Sequence, residues 1–265
     1  MPGGEPICLL NLAPVYLITT TGISISGCKE EKSVKADNEQ LNALVQALHD
    51  LVEPQIFKPL PLGRDNTALL LIDIQEMLRA DNYRGLISAL GGDPARYEDL
   101  LSLLDSHLDA TLANIAAILK KCRETGIPPI HIKIETLLPD GRDNGSLHAG
   151  AGVQLLPGSP GAAIMPQAAP AAGEIVLTKT CSGIHVGTNI DRILRNLGIR
   201  HVIVCGFHTD QCISSSVRDL ADLGYQVVLP GDAVCALSPQ RHENALQSLR
   251  VYALVESTDS LLKRL

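Results

Sequence analysis

The chain has 265 residues, 45% of them hydrophobic, so one large α/β domain or two small ones, with a sizeable core, are within reach. A formal charge of −7 leaves no basic surplus to neutralise phosphates, which argues against nucleic acid as the main partner. Aromatic residues make up 3% and tryptophan is absent, so the core must be aliphatic; the seven cysteines include no CxxC pair, which excludes a disulfide frame or a structural zinc knuckle and fits reduced thiols in the cytoplasm.

Residues 7–28 carry no charge. Ile25-Ser26-Gly27-Cys28 has the small residues of a lipoprotein cleavage site, but Met1 to Pro6 holds Glu5 and no Lys or Arg, so the basic start of a targeting segment is missing. Asn11, Pro14 and the threonine run make the stretch a poor membrane span. It reads instead as one or two strands, 15–20 and 23–25. Leu41, Leu44, Val45, Leu48, Leu51 and Val52 recur at helical spacing and predict an amphipathic helix over 38–52. Pro54, Pro59 and Pro61 then predict an extended linker, so that 1–62 form an N-terminal extension and 63–265 the main domain.

From there apolar runs alternate with helical patterns. Strands are predicted at 68–74, 130–134, 174–178, 199–205, 226–229 and 252–256. Helices are predicted at 108–122, 189–197, 213–223 and 239–249. The Gly-, Pro- and Ala-rich stretch 137–172 reads as a long active-site loop region. This alternation predicts a doubly wound, Rossmann-like, mostly parallel sheet with helices on both faces. Such sheets bind ligands at the carboxyl ends of their strands, so residues just after the apolar runs carry the functional interest.

Three such residues stand out. Asp73 closes the run Leu69-Leu70-Leu71-Ile72; it is either a general base or an acid satisfied by backbone N–H groups at a strand exit. Lys179 ends Ile175-Val176-Leu177-Thr178; it either pairs with a carboxylate beside a reacting centre or is a solvated strand end. Cys212 lies in Gly206-Phe207-His208-Thr209-Asp210-Gln211-Cys212, between a buried strand and an amphipathic helix. An arbitrary cysteine is core packing, but a polar strand–turn–helix junction suits a nucleophile whose thiol pKa the helix N-terminus lowers. His208 is a weaker alternative base, since it lies in the turn itself. No P-loop, dinucleotide fingerprint or HExxH motif is present.

The segments LLLIDIQ (69–75), KTCSGIHVGTNIDRILRNLGI (179–199) and VIVCGFHTDQCISSSVRDLADLGYQVVLPGDA (202–233) together resemble the isochorismatase-like cysteine hydrolase superfamily. The resemblance runs collinearly over about 65–255. It implies the catalytic triad Asp73, Lys179 and Cys212, and a cis peptide between Phe207 and His208 that turns the N–H groups of His208 and Cys212 into an oxyanion hole. The branch of the superfamily that cleaves a vinyl ether lacks a cysteine at the nucleophile position, so Cys212 points to C–N hydrolysis. An isochorismatase-type vinyl ether hydrolase and a non-catalytic binding protein of the same fold are the alternatives. The Asp-x-His metal motif of nicotinamidases is replaced by His131-Ile132-Lys133-Ile134-Glu135-Thr136, so no metal and no cofactor are implied, with His131 and His148 as the residues that keep a metal in question. Pro139-Asp140-Gly141-Arg142-Asp143 and Thr188-Asn189-Ile190-Asp191 are most similar to members acting on biuret, triuret, ureidoacrylate and N-carbamoyl amino acids. Gln75, Glu135, Arg142, Asn189 and Gln211 are the candidate substrate-binding residues. The resemblance also implies a homo-oligomer; the amphipathic helix of 38–52 lies outside the resemblance and is a candidate for a subunit interface.

Overall fold

The computed structural model describes residues 30–57 and 61–265. The strands expected at 15–20 and 23–25 lie outside them. In chain order the elements are helix α1 (Glu30–Ile56), strand β1 (Thr67–Ile72), α2 (Ala80–Ala89), α3 (Glu98–Thr125), β2 (Pro129–Ile134), α4 (Ser146–Gly150), β3 (Ile175–Lys179), α5 (Ile184–Gly187), α6 (Ile190–Asn196), β4 (His201–Phe207), α7 (Ser214–Asp222), β5 (Gln226–Pro230), β6 (Val234–Cys235), α8 (Pro239–Leu249), β7 (Ala253–Glu256) and α9 (Thr258–Leu262).

Among the described residues, seven strands form one sheet in the order β3-β2-β1-β4-β5-β7, with the two-residue β6 paired to the end of β4. Every strand pairing is parallel. β1 is apolar from Ala68 to Ile72 because both its faces are covered. Ala68, Leu70 and Ile72 pack with Ile184, Leu194, Val217 and Leu220 on one side. Leu69 and Leu71 alternate to the other side, against Leu112, Ile115 and Leu119 of α3. The doubly wound arrangement follows from this two-sided burial.

Several boundaries differ from expectation. α1 runs on to Ile56, through Pro54, so Pro54 is helical rather than linker, and residues 58–60 of the expected linker lie outside those described. α3 reaches back to Glu98, ten residues before its predicted start, and ends at Gly126, whose φ of 77° favours glycine. α2 was not predicted: Ala-Asp-Asn-Tyr-Arg-Gly-Leu-Ile-Ser-Ala offers no clean apolar period and holds a glycine. The stretch 137–172 is mostly irregular, as expected, with α4 and two 3-10 turns inside it.

Strand order reverses between β1 and β4. From β1 the chain moves outward through β2 to β3, then crosses back to lay β4 on the other side of β1. That switch point opens a crevice at the carboxyl edge of the sheet. Gly206 makes the junction possible: a Cβ there would lie 1.9 Å from the Ile72 carbonyl oxygen, so only glycine lets β4 press this closely on β1.

Candidate active site

Asp73, Lys179 and Cys212 converge at this edge. Asp73 leaves β1 in the left-handed region, φ 54°, a conformation that aspartate tolerates better than most residues. Its N–H donates to the Ile132 carbonyl at 2.8 Å, which fixes the turn against β2. Lys179, the last residue of β3, donates from Nζ to Asp73 Oδ2 at 2.8 Å, to the Cys181 carbonyl at 2.9 Å and to Cys212 Sγ at 3.5 Å. Asp73 is 1% exposed, Lys179 2% and Cys212 6%, so the ion pair lies in a low-dielectric setting.

Cys212 sits inside a π-helical turn, Thr209–Ile213, two residues ahead of α7. Ile213 N–H donates to the His208 carbonyl at 3.3 Å, the wide i to i+5 bond of such a turn. α8 holds the turn from outside: Arg241 Nε donates to Asp210 Oδ2 at 2.5 Å, and Thr209 Oγ1 and His242 Nδ1 lie 2.9 Å apart. Ser216 Oγ donates to the Cys212 carbonyl at 2.6 Å. The Phe207–His208 peptide is cis.

The electrostatics correct one expectation. The Cys212 thiol is pushed well above its ordinary value, first by burial and then by the Asp73 carboxylate, against the pull of Lys179. The turn at the helix entry does not leave a standing thiolate. Burial alone would lower the Lys179 ammonium, but the Asp73 carboxylate foremost outweighs it and its pKa is raised. Asp73 Oδ1 is buried with no hydrogen-bond partner among the described residues. A protonated thiol thus stands beside a carboxylate with a free oxygen and an ammonium that reaches both. The arrangement can pass the thiol proton to the carboxylate while the ammonium balances charge on sulfur.

Residues 67–260 match the model of the isochorismatase domain, which is well over half of the chain. The chain belongs to the isochorismatase family. It is 28% identical over 204 residues to the ureidoacrylate amidohydrolase RutB of Agrobacterium fabrum, covering 69% of this chain and 81% of that one. It is 30% identical over 129 residues to the secreted isochorismatase effector Isc1 of Verticillium dahliae, covering 49% of this chain and spanning 62% of that protein's length. Among solved structures, an isochorismatase family protein from Desulfovibrio vulgaris is 28% identical, with a TM-score of 0.58 over 74% of this chain and 96% of that one.

In this isochorismatase-family chain Asp73 and Cys212 border a cavity of about 580 Å³, and Lys179 is not on its wall. Asp73, His208, Gln211 and Cys212 line it, together with α2 and the loop after β2. Of the five candidate substrate-binding residues, Gln211 is on the wall. The other four are placed elsewhere. Gln75 is fully buried and spends its amide on the scaffold: Oε1 accepts from Ile134 N–H at 2.7 Å, and Nε2 donates to the carbonyls of Ile134 at 2.8 Å and Ala162 at 3.1 Å. It ties the long loop to the sheet. Glu135 accepts from Lys133 Nζ at 2.7 Å and from Gly158 N–H at 3.3 Å, a second loop tie. Arg142 is exposed and pairs with Asp140 at 3.6 Å, and Asn189 precedes α6 at its entry. His131 is bound to Glu174 at 2.9 Å, whereas His148 lines the cavity, and no three metal-binding side chains gather among the described residues.

Sequence reasoning missed part of the wall. Asn82, Tyr83 and Leu86 come from α2, and Leu147 from α4, beside His148, which the sequence singled out only as a possible metal ligand. Both helices are short and weakly patterned, so periodicity gave no reason to bring them over the strand ends. A histidine within a Gly- and Ala-rich loop was the one available signal.

Proposed function

We propose that the protein is a cysteine-dependent amidohydrolase that cleaves a C–N bond of a small ureido or amide compound and releases ammonia. The observation that carries this reading is the Lys179 ammonium, 2.8 Å from Asp73 and 3.5 Å from the Cys212 sulfur at one wall of the cavity. The likeness to a ureidoacrylate amidohydrolase supports the ureido class, of which biuret, triuret and N-carbamoyl amino acids are further members.

The reaction runs in two halves. Asp73 takes the Cys212 proton, and the sulfur attacks the carbonyl carbon. The N–H groups of His208 and Cys212 receive the oxyanion, each donor contributing about 3 kcal/mol. Asp73 returns the proton to the leaving nitrogen, the C–N bond breaks, and ammonia departs from a thioester. Water then gives a proton to Asp73 and its hydroxide to the thioester carbon, and the thiol is restored as the acid leaves. The raised thiol pKa fits this order, in which the proton moves only as sulfur attacks.

A cytoplasmic location and a homo-oligomeric state belong to the same proposal. Five described cysteines are free thiols, and no described helix is long and apolar enough to cross a membrane. α1 offers an exposed apolar stripe to a second copy.

Ammonia release from a panel of ureides and amides tests the activity. Cys212→Ala and Cys212→Ser are expected to lose at least about 10³-fold in kcat while melting within a few degrees of the parent. Retention of most turnover by either variant removes the covalent mechanism.

A further inference from the structure

The cavity is larger and less charged than a compact ureide or a ureido acid calls for. Its volume of about 580 Å³ lies in the range, about 300–1,000 Å³, of sites that enclose drug-sized ligands. Met77, Leu86, Leu147, Leu155 and Phe207 form apolar walls. The polar groups on the wall are mostly uncharged: Asn82, Tyr83, Gln154 and Gln211. Among the described residues, no lysine or arginine lines it. The nearby Lys179 is spoken for, since its ammonium bonds Asp73, the Cys181 carbonyl and Cys212. A substrate carboxylate would enter beside the Asp73 carboxylate with no cation to meet it, a costly desolvation.

His148 adds a specific acceptor. It is 7% exposed, lines the same cavity, and its Nδ1 has no hydrogen-bond partner among the described residues. Burial, ahead of the Lys179 charge, lowers its pKa against the Asp73 charge and a hydrogen bond to the Thr180 backbone, so a neutral ring with one nitrogen held by Thr180 has the other to accept an amide N–H.

We infer that the substrate is an uncharged carboxamide or ureide with an apolar substituent, its amide directed to Cys212 and its substituent laid against Met77, Leu86, Leu147 and Leu155. This rests on the C–N hydrolase reading and sharpens it to one substrate class.

Two measurements on the full chain keep the two ideas apart. Calorimetric binding to Cys212→Ala reads the cavity without turnover, with acetamide, butyramide and hexanamide set against ureidoacrylate and N-carbamoylglycine. Affinity is expected to rise about fourfold per added methylene, with the two anions at least tenfold weaker than hexanamide. Affinity flat in chain length, or tighter binding of the anions, overturns the inference. Ammonia release by the parent protein reads the chemistry. Preferred turnover of the anions sinks the inference and leaves the hydrolase reading standing. Chain-length-dependent binding without ammonia release does the reverse. Leu86→Arg, at a half-exposed position on the wall, supplies the missing cation. It should raise ureidoacrylate affinity about tenfold or more and lower that of hexanamide; no change in either counts against the inference.

Discussion

Cys212 stands where β4 gives way to α7, buried beside the Asp73–Lys179 ion pair. Its place at a strand–turn–helix junction flagged it, and the end-of-strand positions of Asp73 and Lys179 flagged its partners. Those positions were legible because a charged residue closing an apolar run is a local pattern. The state of the thiol was not legible. It depends on burial and on a carboxylate 139 positions earlier in the chain, which only tertiary packing brings near. The consequence is measurable. With its pKa raised first by burial and then by Asp73, Cys212 is protonated at neutral pH, and its alkylation by iodoacetamide should still be climbing above pH 9. Removing the negative charge in Asp73→Asn lowers the thiol pKa and shifts the rise to lower pH, although turnover falls by at least about 10²-fold for want of the base. Mass mapping of the Cys212 peptide separates it from the part-exposed Cys181 and Cys235. A plateau below pH 8 in the parent, or an Asp73→Asn profile moved upward, contradicts this account.

Among the elements, the strands were the most legible because burial on both faces writes them as continuous apolar runs. α2 and the π-helical turn escaped. α2 owes its helix to packing against α3 and the cavity rather than to propensity, and the turn's wide hydrogen bond has no sequence signature. Gln75, two residues past Asp73, reads from sequence as a site residue, and in the fold its buried amide bonds the loop. At the opposite end of the sheet, edge strand β3 is fastened through Glu174. Arg123 donates to it from Nε and Nη2 at 2.8 Å each, His131 Nε2 lies at 2.9 Å, and Ala171 N–H donates at 2.8 Å. Arg123 foremost holds the Glu174 carboxyl down at about 2, from an ordinary 4.5. A carboxylate lowered in the folded state stabilises above its unfolded pKa, and that contribution is lost as pH falls through the folded one. Glu174→Gln should therefore cost about 2 kcal/mol at pH 7. The gap between variant and parent should close as pH falls from about 4.5 to about 2. Denaturant melts across that window decide it; a gap that is absent at pH 7, or that persists unchanged at pH 2, sets the role aside.

For the whole molecule, a single topological fact organises the site. The strand order reverses between β1 and β4, so Asp73 and the Phe207–His208 junction flank one crevice, and Lys179 reaches it across the end of β2 from the sheet edge. Helices cover both faces of that sheet, but α1 stands differently. Leu41, Leu44, Val45, Leu48, Val52 and Ile56 fall at helical spacing, and each is between 45% and 58% exposed. Arg250, at the end of α8, reaches Glu53 at 3.4 Å and fastens the C-terminal end of α1 to the domain. An apolar stripe on a helix about 40 Å long is a large surface to leave in water. A two-fold pairing of α1 with its copy would bury the same side chains on both partners, since such an interface uses one patch twice. Light scattering on the full chain at tens of micromolar should therefore give at least twice the monomer mass of 28.3 kDa. Leu44→Glu with Leu48→Glu places two carboxylates in the stripe without touching the sheet. It should return the monomer mass while the near-ultraviolet spectrum of the domain is unchanged. A parent that is already monomeric, or a charged variant that keeps the parent's mass, would show that the stripe is not where copies of this chain meet.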